Sequence, residues 1–196
     1  MGDIKSAREI ALAKIEQLGS ATEEERLRWK YVPEGEKLAA RYFNLDTNLV
    51  TELGQFDEKF RKYVMQGVAE VLVRNIDLPR SEPAKKTTKK AMDGLKVIKT
   101  DKVGLENVYT KIRRIFNHYG KEGEQQRQQA YQQLKADVEA KLFQSLQQQY
   151  GLTPGMKIDV ERQPQFQEEW RRVQAQLEEP YLRLLNEYRQ ELLGLA

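Results

Sequence analysis

The sequence predicts an all-α protein, an elongated multi-helix bundle with a long antiparallel C-terminal helical hairpin and at most one or two short strands. Three observations lead there. Apolar residues return every three or four positions along most of the chain, which lines them along one face of an α-helix. Charged residues make up 32% of the 196 and Gln accounts for another 19, a polar load that suits an extended helical body better than a compact one of this size. Leu, Ile, Val and Phe still number 48, above the ~20% typical of disordered chains, so the chain folds.

In the first segment, 1–78, Ile4, Ala7, Ala11, Ile15 and Leu18 mark an amphipathic helix capped by Asp3 and stopped by Gly19. Thr22-Glu23-Glu24-Glu25 has the form of a capping box and opens a short helix toward Tyr31, which Pro33 and Gly35 end. A further short helix spans Glu36 to Phe43, before a break at Asn44-Leu45-Asp46-Thr47. From Asn48 to Asn75 the positions Leu49, Leu53, Phe56, Phe60, Tyr63 and Gly67 alternate four and three, with a second stripe of Val64, Val68, Val71 and Leu72 beside them. Two stripes are too wide for one partner, so this reads as one long central helix ended at Asp77-Leu78-Pro79.

The second segment, 79–104, reads as a basic linker, Pro79 to Lys90, entering a short helix whose apolar side is Ala84, Thr88, Ala91, Met92, Leu95 and Ile98, with a strand over Leu95 to Lys99 as the alternative. The third, 105–196, is the hairpin. Leu105, Val108, Ile112, Ile115, Phe116 and Tyr119 form an amphipathic helix that Gly120 and Gly123 interrupt. Tyr131, Leu134, Val138, Leu142, Leu146 and Tyr150 then make one narrow seam on a Gln-rich, solvated helix. A turn at Gly151 to Gly155 leads to Met156-Lys157-Ile158-Asp159-Val160-Glu161, whose strict alternation reads as a strand, so that turn and strand occupy 151–163. The last helix opens at Pro164 and carries Phe166, Trp170, Val173, Leu177, Tyr181, Leu184, Tyr188 and Leu192, with Pro180 placed to kink it. The two long helices, about 40 Å each, are expected to lie antiparallel.

The absences narrow the chemistry. Without Cys there is no disulfide, thiolate nucleophile or Cys-bound metal, and the single His118 supports no two-histidine site, so no cofactor and no metal is expected. His118 reads as a helix-end residue, and Glu168 with Arg172 as a helical ion pair on a solvated face. No nucleophile-base spacing is visible, and a non-enzyme is expected. No apolar run reaches membrane-spanning length and no leader is recognised, so no membrane partner and a cytoplasmic location are expected. Met1 to Ser6 matches the N-myristoylation template, but Asp3 as a helix cap accounts for it. Trp170, on the regular seam, is read as core, and Trp29 as covering the N-terminal helices or facing a partner, the first being preferred.

These patterns describe a helical scaffold or protein-interaction protein that associates with itself as a dimer. The isolated strand, through Met156, Ile158 and Val160, and a broad C-terminal face, through Leu182, Leu185 and Leu193, are the candidate self-association residues. The alternative is nucleic-acid binding. Residues 80–121 hold 12 basic and 4 acidic side chains, and Lys85, Lys86, Lys89, Lys90, Lys111, Arg113 and Arg114 are its candidate phosphate-binding residues.

Overall fold

The computed structural model describes residues 21–150 and 159–196, and it is all-α, with no strand among the described residues. In chain order the helices are α1 (Glu23–Leu45), α2 (Leu49–Gly54), α3 (Glu58–Arg74), α4 (Glu82–Ile98), α5 (Lys102–Gly120), α6 (Glu122–Tyr150) and α7 (Pro164–Gly194), with a 3-10 turn at Val160–Arg162. The amphipathic helix expected over residues 3–18 lies outside the described residues. The fold divides into two compact units that interleave along the chain. The described part of the first is residues 21–76, 86–105 and 193–196, and that of the second is 77–85, 106–150 and 159–192.

The first unit is built on α1 and α3. The capping box forms: the Glu25 N–H donates to the Thr22 hydroxyl at 3.2 Å and the Thr22 N–H to the Glu25 carboxylate at 2.8 Å. Contrary to the sequence expectation, α1 then runs through Pro33 and Gly35 to Leu45, and the separate helix over Glu36 to Phe43 is part of it. Pro33 removes one backbone bond, but Gly35 lies directly against α3, where its missing Cβ lets the helices meet. A Cβ on Gly35 would overlap the Val64 carbonyl oxygen, and one on Gly67 would overlap that of Val32. Tyr31 stacks on Phe60 with ring centroids 4.5 Å apart. Leu38, Ala39, Val64, Val68 and Leu72 are buried at this crossing.

The long helix expected over 48–75 is two helices. Gly54 ends α2, Asp57 takes the Phe60 and Arg61 N–H groups to start α3, and the Arg61 guanidinium donates 3.0 Å to the free Phe56 carbonyl. The basic linker expected over Pro79 to Lys90 is shorter than that, and most of the range is the first half of α4. Helix α4 starts at Glu82, since Ser81 accepts the Ala84 N–H and Pro83 occupies a first turn where no N–H is needed. Its Thr88, Ala91, Gly94, Leu95 and Ile98 are buried, so Leu95 to Ile98 is helix and the strand alternative is excluded. The Tyr42 hydroxyl donates 3.0 Å to the Lys90 carbonyl. Trp29 is 47% exposed and is not core: it stands at the rim of the α1–α3 crossing, where it borders a depression with Val32 and Pro33 of α1 and Gln66 and Glu70 of α3.

In the second unit α7 runs antiparallel first to α6 and then to α5. Tyr131 meets Phe166 and Trp170 edge-on, and Val138 joins Phe166 in one core cluster. Further along, Tyr181 lies beside Gly123 of α6 and His118 of α5, and Glu191 reaches Lys111. The change of partner covers the broad C-terminal face of α7: Leu185 and Leu192 are fully buried. The strand expected from Met156 is not formed where it can be described: Asp159 is irregular and Val160 sits in the 3-10 turn, buried with Val138 and Phe166, while Met156, Lys157 and Ile158 lie outside the described residues. At Val160, apolar attraction to the α6–α7 core outweighs the strand preference of the alternation.

Candidate functional site

The densest polar cluster of the second unit lies where α5 ends, α6 begins and α7 carries Pro180. Alternation of apolar positions puts Tyr119 on the buried side of α5, at 4% exposure, yet its hydroxyl needs a partner and donates 2.5 Å to the Glu178 carboxylate. Arg80 closes on the same carboxylate through Nε and Nη2 at 2.8 to 3.1 Å and bonds Asp77 at 2.8 Å. Arg127 lies 4.1 Å from the centroid of the Tyr119 ring, bonds Glu124 at 2.6 Å and donates to the Tyr119 carbonyl at 3.2 Å. Three helices and the 77–80 segment are joined by this chain of charges.

The network fixes protonation states. Burial pushes the Glu178 carboxyl up, but the Arg80 guanidinium and the Tyr119 hydroxyl outweigh it and hold the group below the ordinary carboxylate value. Tyr119 is pushed up to about 12 by burial and by its bond to Glu178. Arg80 is raised by its bond to Glu178, and Glu124 is lowered by Arg127. Each of these shifts moves a group away from neutral pH, the reverse of what an acid–base catalyst needs.

Two depressions flank the network. On one side is a polar cleft of about 610 Å³, whose wall includes Arg80, Lys85, Asn117, Lys121, Arg127 and Gln174. On the other is a groove of about 560 Å³ with an apolar floor of Ile115, Leu177, Pro180 and Leu184 and with Arg114 and His118 at its edge. Leu184 is 40% exposed, although it continues the buried seam of α7. Pro180 has no N–H to give the Gln176 carbonyl, which also borders the groove. His118 Nδ1 and the Tyr181 hydroxyl are hydrogen-bonded at 2.8 Å.

Of the candidate phosphate-binding residues, several are already engaged. Lys90 contacts Asp46 and donates to the Phe43 carbonyl, Lys111 pairs with Glu191 at 2.8 Å, and Arg113 with Glu106 at 3.0 Å. Lys85 pairs only with Glu82 in solvent, and Lys86, Lys89 and Arg114 are exposed with no ion pair among the described residues. Among the candidate self-association residues, Val160 belongs to the Val138–Phe166 core, Leu185 is fully buried, Leu182 and Leu193 are half-buried, and Met156 and Ile158 lie outside the described residues. Sequence reasoning missed Arg80, Lys121, Arg127 and Glu178. Their signal is distributed over three distant segments, and only the singular Pro180 marks the place. The expected Glu168–Arg172 pair forms at 2.5 Å on an exposed face.

Among the described residues, no group of three or more His, Asp or Glu side chains comes together to hold a metal, and no helix is long and apolar enough to cross a membrane. Fold and site together define an all-helical protein with an ion-paired junction set between a polar cleft and an apolar groove. It belongs to a family of unknown function, DUF6657, which it matches over residues 50–194. No curated protein and no solved structure matches it.

Proposed function

We propose that the protein is a non-catalytic helical interaction protein whose apolar groove at Pro180 receives an amphipathic helix of a partner, leucine ridge inward and acidic residues outward. The observation that carries this reading is Leu184, a seam residue left 40% exposed over a floor that Ile115, Leu177 and Pro180 complete. An apolar groove of this kind fits helix-in-groove recognition, where anchors at three- and four-residue spacing fill the floor. Charge complementarity selects the partner: Arg114, which has no ion pair among the described residues, sits at the edge, so carboxylates beside the ridge are favoured. The pKa directions at the adjacent network support a non-enzymatic role, because its groups stay in fixed charge states near neutrality.

The test uses a labelled amphipathic peptide of about 20 residues with leucines at helical spacing and flanking glutamates, and the same peptide with flanking lysines. Fluorescence anisotropy should show saturable binding of the acidic peptide, weakened roughly tenfold or more by Leu184→Asp and by Arg114→Glu, and poorer binding of the basic one. Absence of binding, or equal binding of both peptides, overturns the reading. So does light scattering that finds a dimer which Leu184→Asp converts to monomer, since the occupant is then a second copy.

A further inference from the structure

We propose that the polar cleft of the second unit is a binding site for the phosphate group of a small soluble phosphorylated ligand, held between Lys85 and Lys121. The space, about 610 Å³, is in the range of small-molecule sites. Its charges sort into two sets. Arg80 and Arg127 are clamped by Glu178, Asp77 and Glu124, so they shape the wall and stay in place when the cleft is empty. Among the described residues Lys121 has no ion pair, and Lys85 pairs its ammonium with Glu82 alone, in a pair whose side chains are 52% and 74% exposed. Such a pair is worth little and is readily exchanged for a better anion. With the two cleft carboxylates already matched by the two arginines, both lysines are left to balance a ligand, and two positive charges match a phosphate dianion.

Neutral donors complete the set. Asn117 and Gln174 line the cleft, and a side-chain amide can offer N–H groups to phosphate oxygens. A small ligand is favoured over a nucleic acid because a polymer needs a continuous row of free cations. Beyond the cleft, Lys90, Lys111 and Arg113 of the basic segment are held by carboxylates of the chain itself, which, of the candidate phosphate-binding residues, leaves Lys86, Lys89 and Arg114 with no ion pair among the described residues. Phe116, half-buried in the same wall, gives the rest of the ligand an apolar contact.

The experiment titrates inorganic phosphate, then adenosine 5′-monophosphate, into the full chain at constant ionic strength, following 31P resonances and the thermal midpoint, with chloride and a single-stranded oligonucleotide as controls. The expected result is saturable binding of phosphate, tighter for the nucleotide, lost by roughly tenfold or more in Lys85→Gln/Lys121→Gln and kept in Lys86→Gln. These side chains are exposed, so the variants should fold, and unchanged helical content confirms it. Leu184→Asp should leave phosphate binding intact, which separates this site from the apolar groove. A response to phosphate no larger than to chloride, binding unaffected by the double substitution, or binding confined to the oligonucleotide would each overturn the proposal.

Discussion

At the scale of single residues, Tyr119 shows what spacing conveys and what it leaves out. Its place after Ile112 and Ile115 assigns it to the apolar side of α5, and it is buried there, but periodicity is silent about a hydroxyl that must find an acceptor 59 residues away. Tyr119→Phe keeps the ring under Arg127 and removes only the bond to Glu178, so unfolding in urea should show a loss of about 1.5 kcal/mol at neutral pH. The pH dependence has two sides. The lowered Glu178 carboxyl stabilises the fold above the ordinary glutamate value, and that contribution disappears as pH falls through its folded pKa. The raised Tyr119 hydroxyl contributes below the ordinary tyrosine value of 10.0 and ceases to as pH rises through about 12. Wild-type stability should therefore fall at both ends, and Tyr119→Phe should flatten the alkaline limb. An unchanged alkaline limb in the variant would show that Tyr119 does not titrate from a folded hydrogen bond.

At the scale of elements, the capping box at Thr22 was readable because all its atoms lie within four residues, whereas the ends assigned at Pro33 and Gly35 were not real ends. Both residues are helix breakers by local propensity, and a tertiary contact overrules them: glycine at Gly35 and Gly67 permits the backbone approach of α1 and α3. Conversely the apolar spacing through 48–75 hides a real break at Gln55 to Asp57, because two stripes on α2 and α3 keep nearly the same phase across it. The glycines make a paired test. Gly67→Ala should lower stability by about 2 to 3 kcal/mol or more, since backbone faces it and cannot yield as a side chain would. Gly54→Ala meets open space in a helical residue and should raise it by about 0.5 kcal/mol. Denaturant midpoints of the two variants, moving in opposite directions, check the account, and a harmless Gly67→Ala would refute the close crossing.

For the molecule as a whole, the seam of α7 was legible from Phe166 to Leu192, but its two successive partners were not, because the same four-three spacing serves α6 and α5 alike. The interleaving of units was equally hidden, since residues 86–105 and 193–196 join the first unit by contacts made far along the chain, such as Lys99 to the Leu195 carbonyl at 2.6 Å. Charge was visible as a total and a local excess, yet its use depends on burial. Pairs such as Lys37–Glu34 and Lys59–Glu23 are mostly in solvent and contribute about 0 to 1 kcal/mol each, while Glu178 is only 16% exposed. Replacing it in Glu178→Gln leaves Arg80 and Tyr119 facing a neutral amide. The expected cost is about 2 kcal/mol, below the ~3–5 of a fully buried pair because Arg80 is 39% exposed. Salt separates the two kinds of charge. At about 1 M NaCl the screening length is about 3 Å, so surface pairs fade while the gap between wild type and Glu178→Gln should persist in urea unfolding. If that gap closes in salt as a surface pair would, the junction of α5, α6 and α7 is held by apolar packing alone and its ion pairs are incidental.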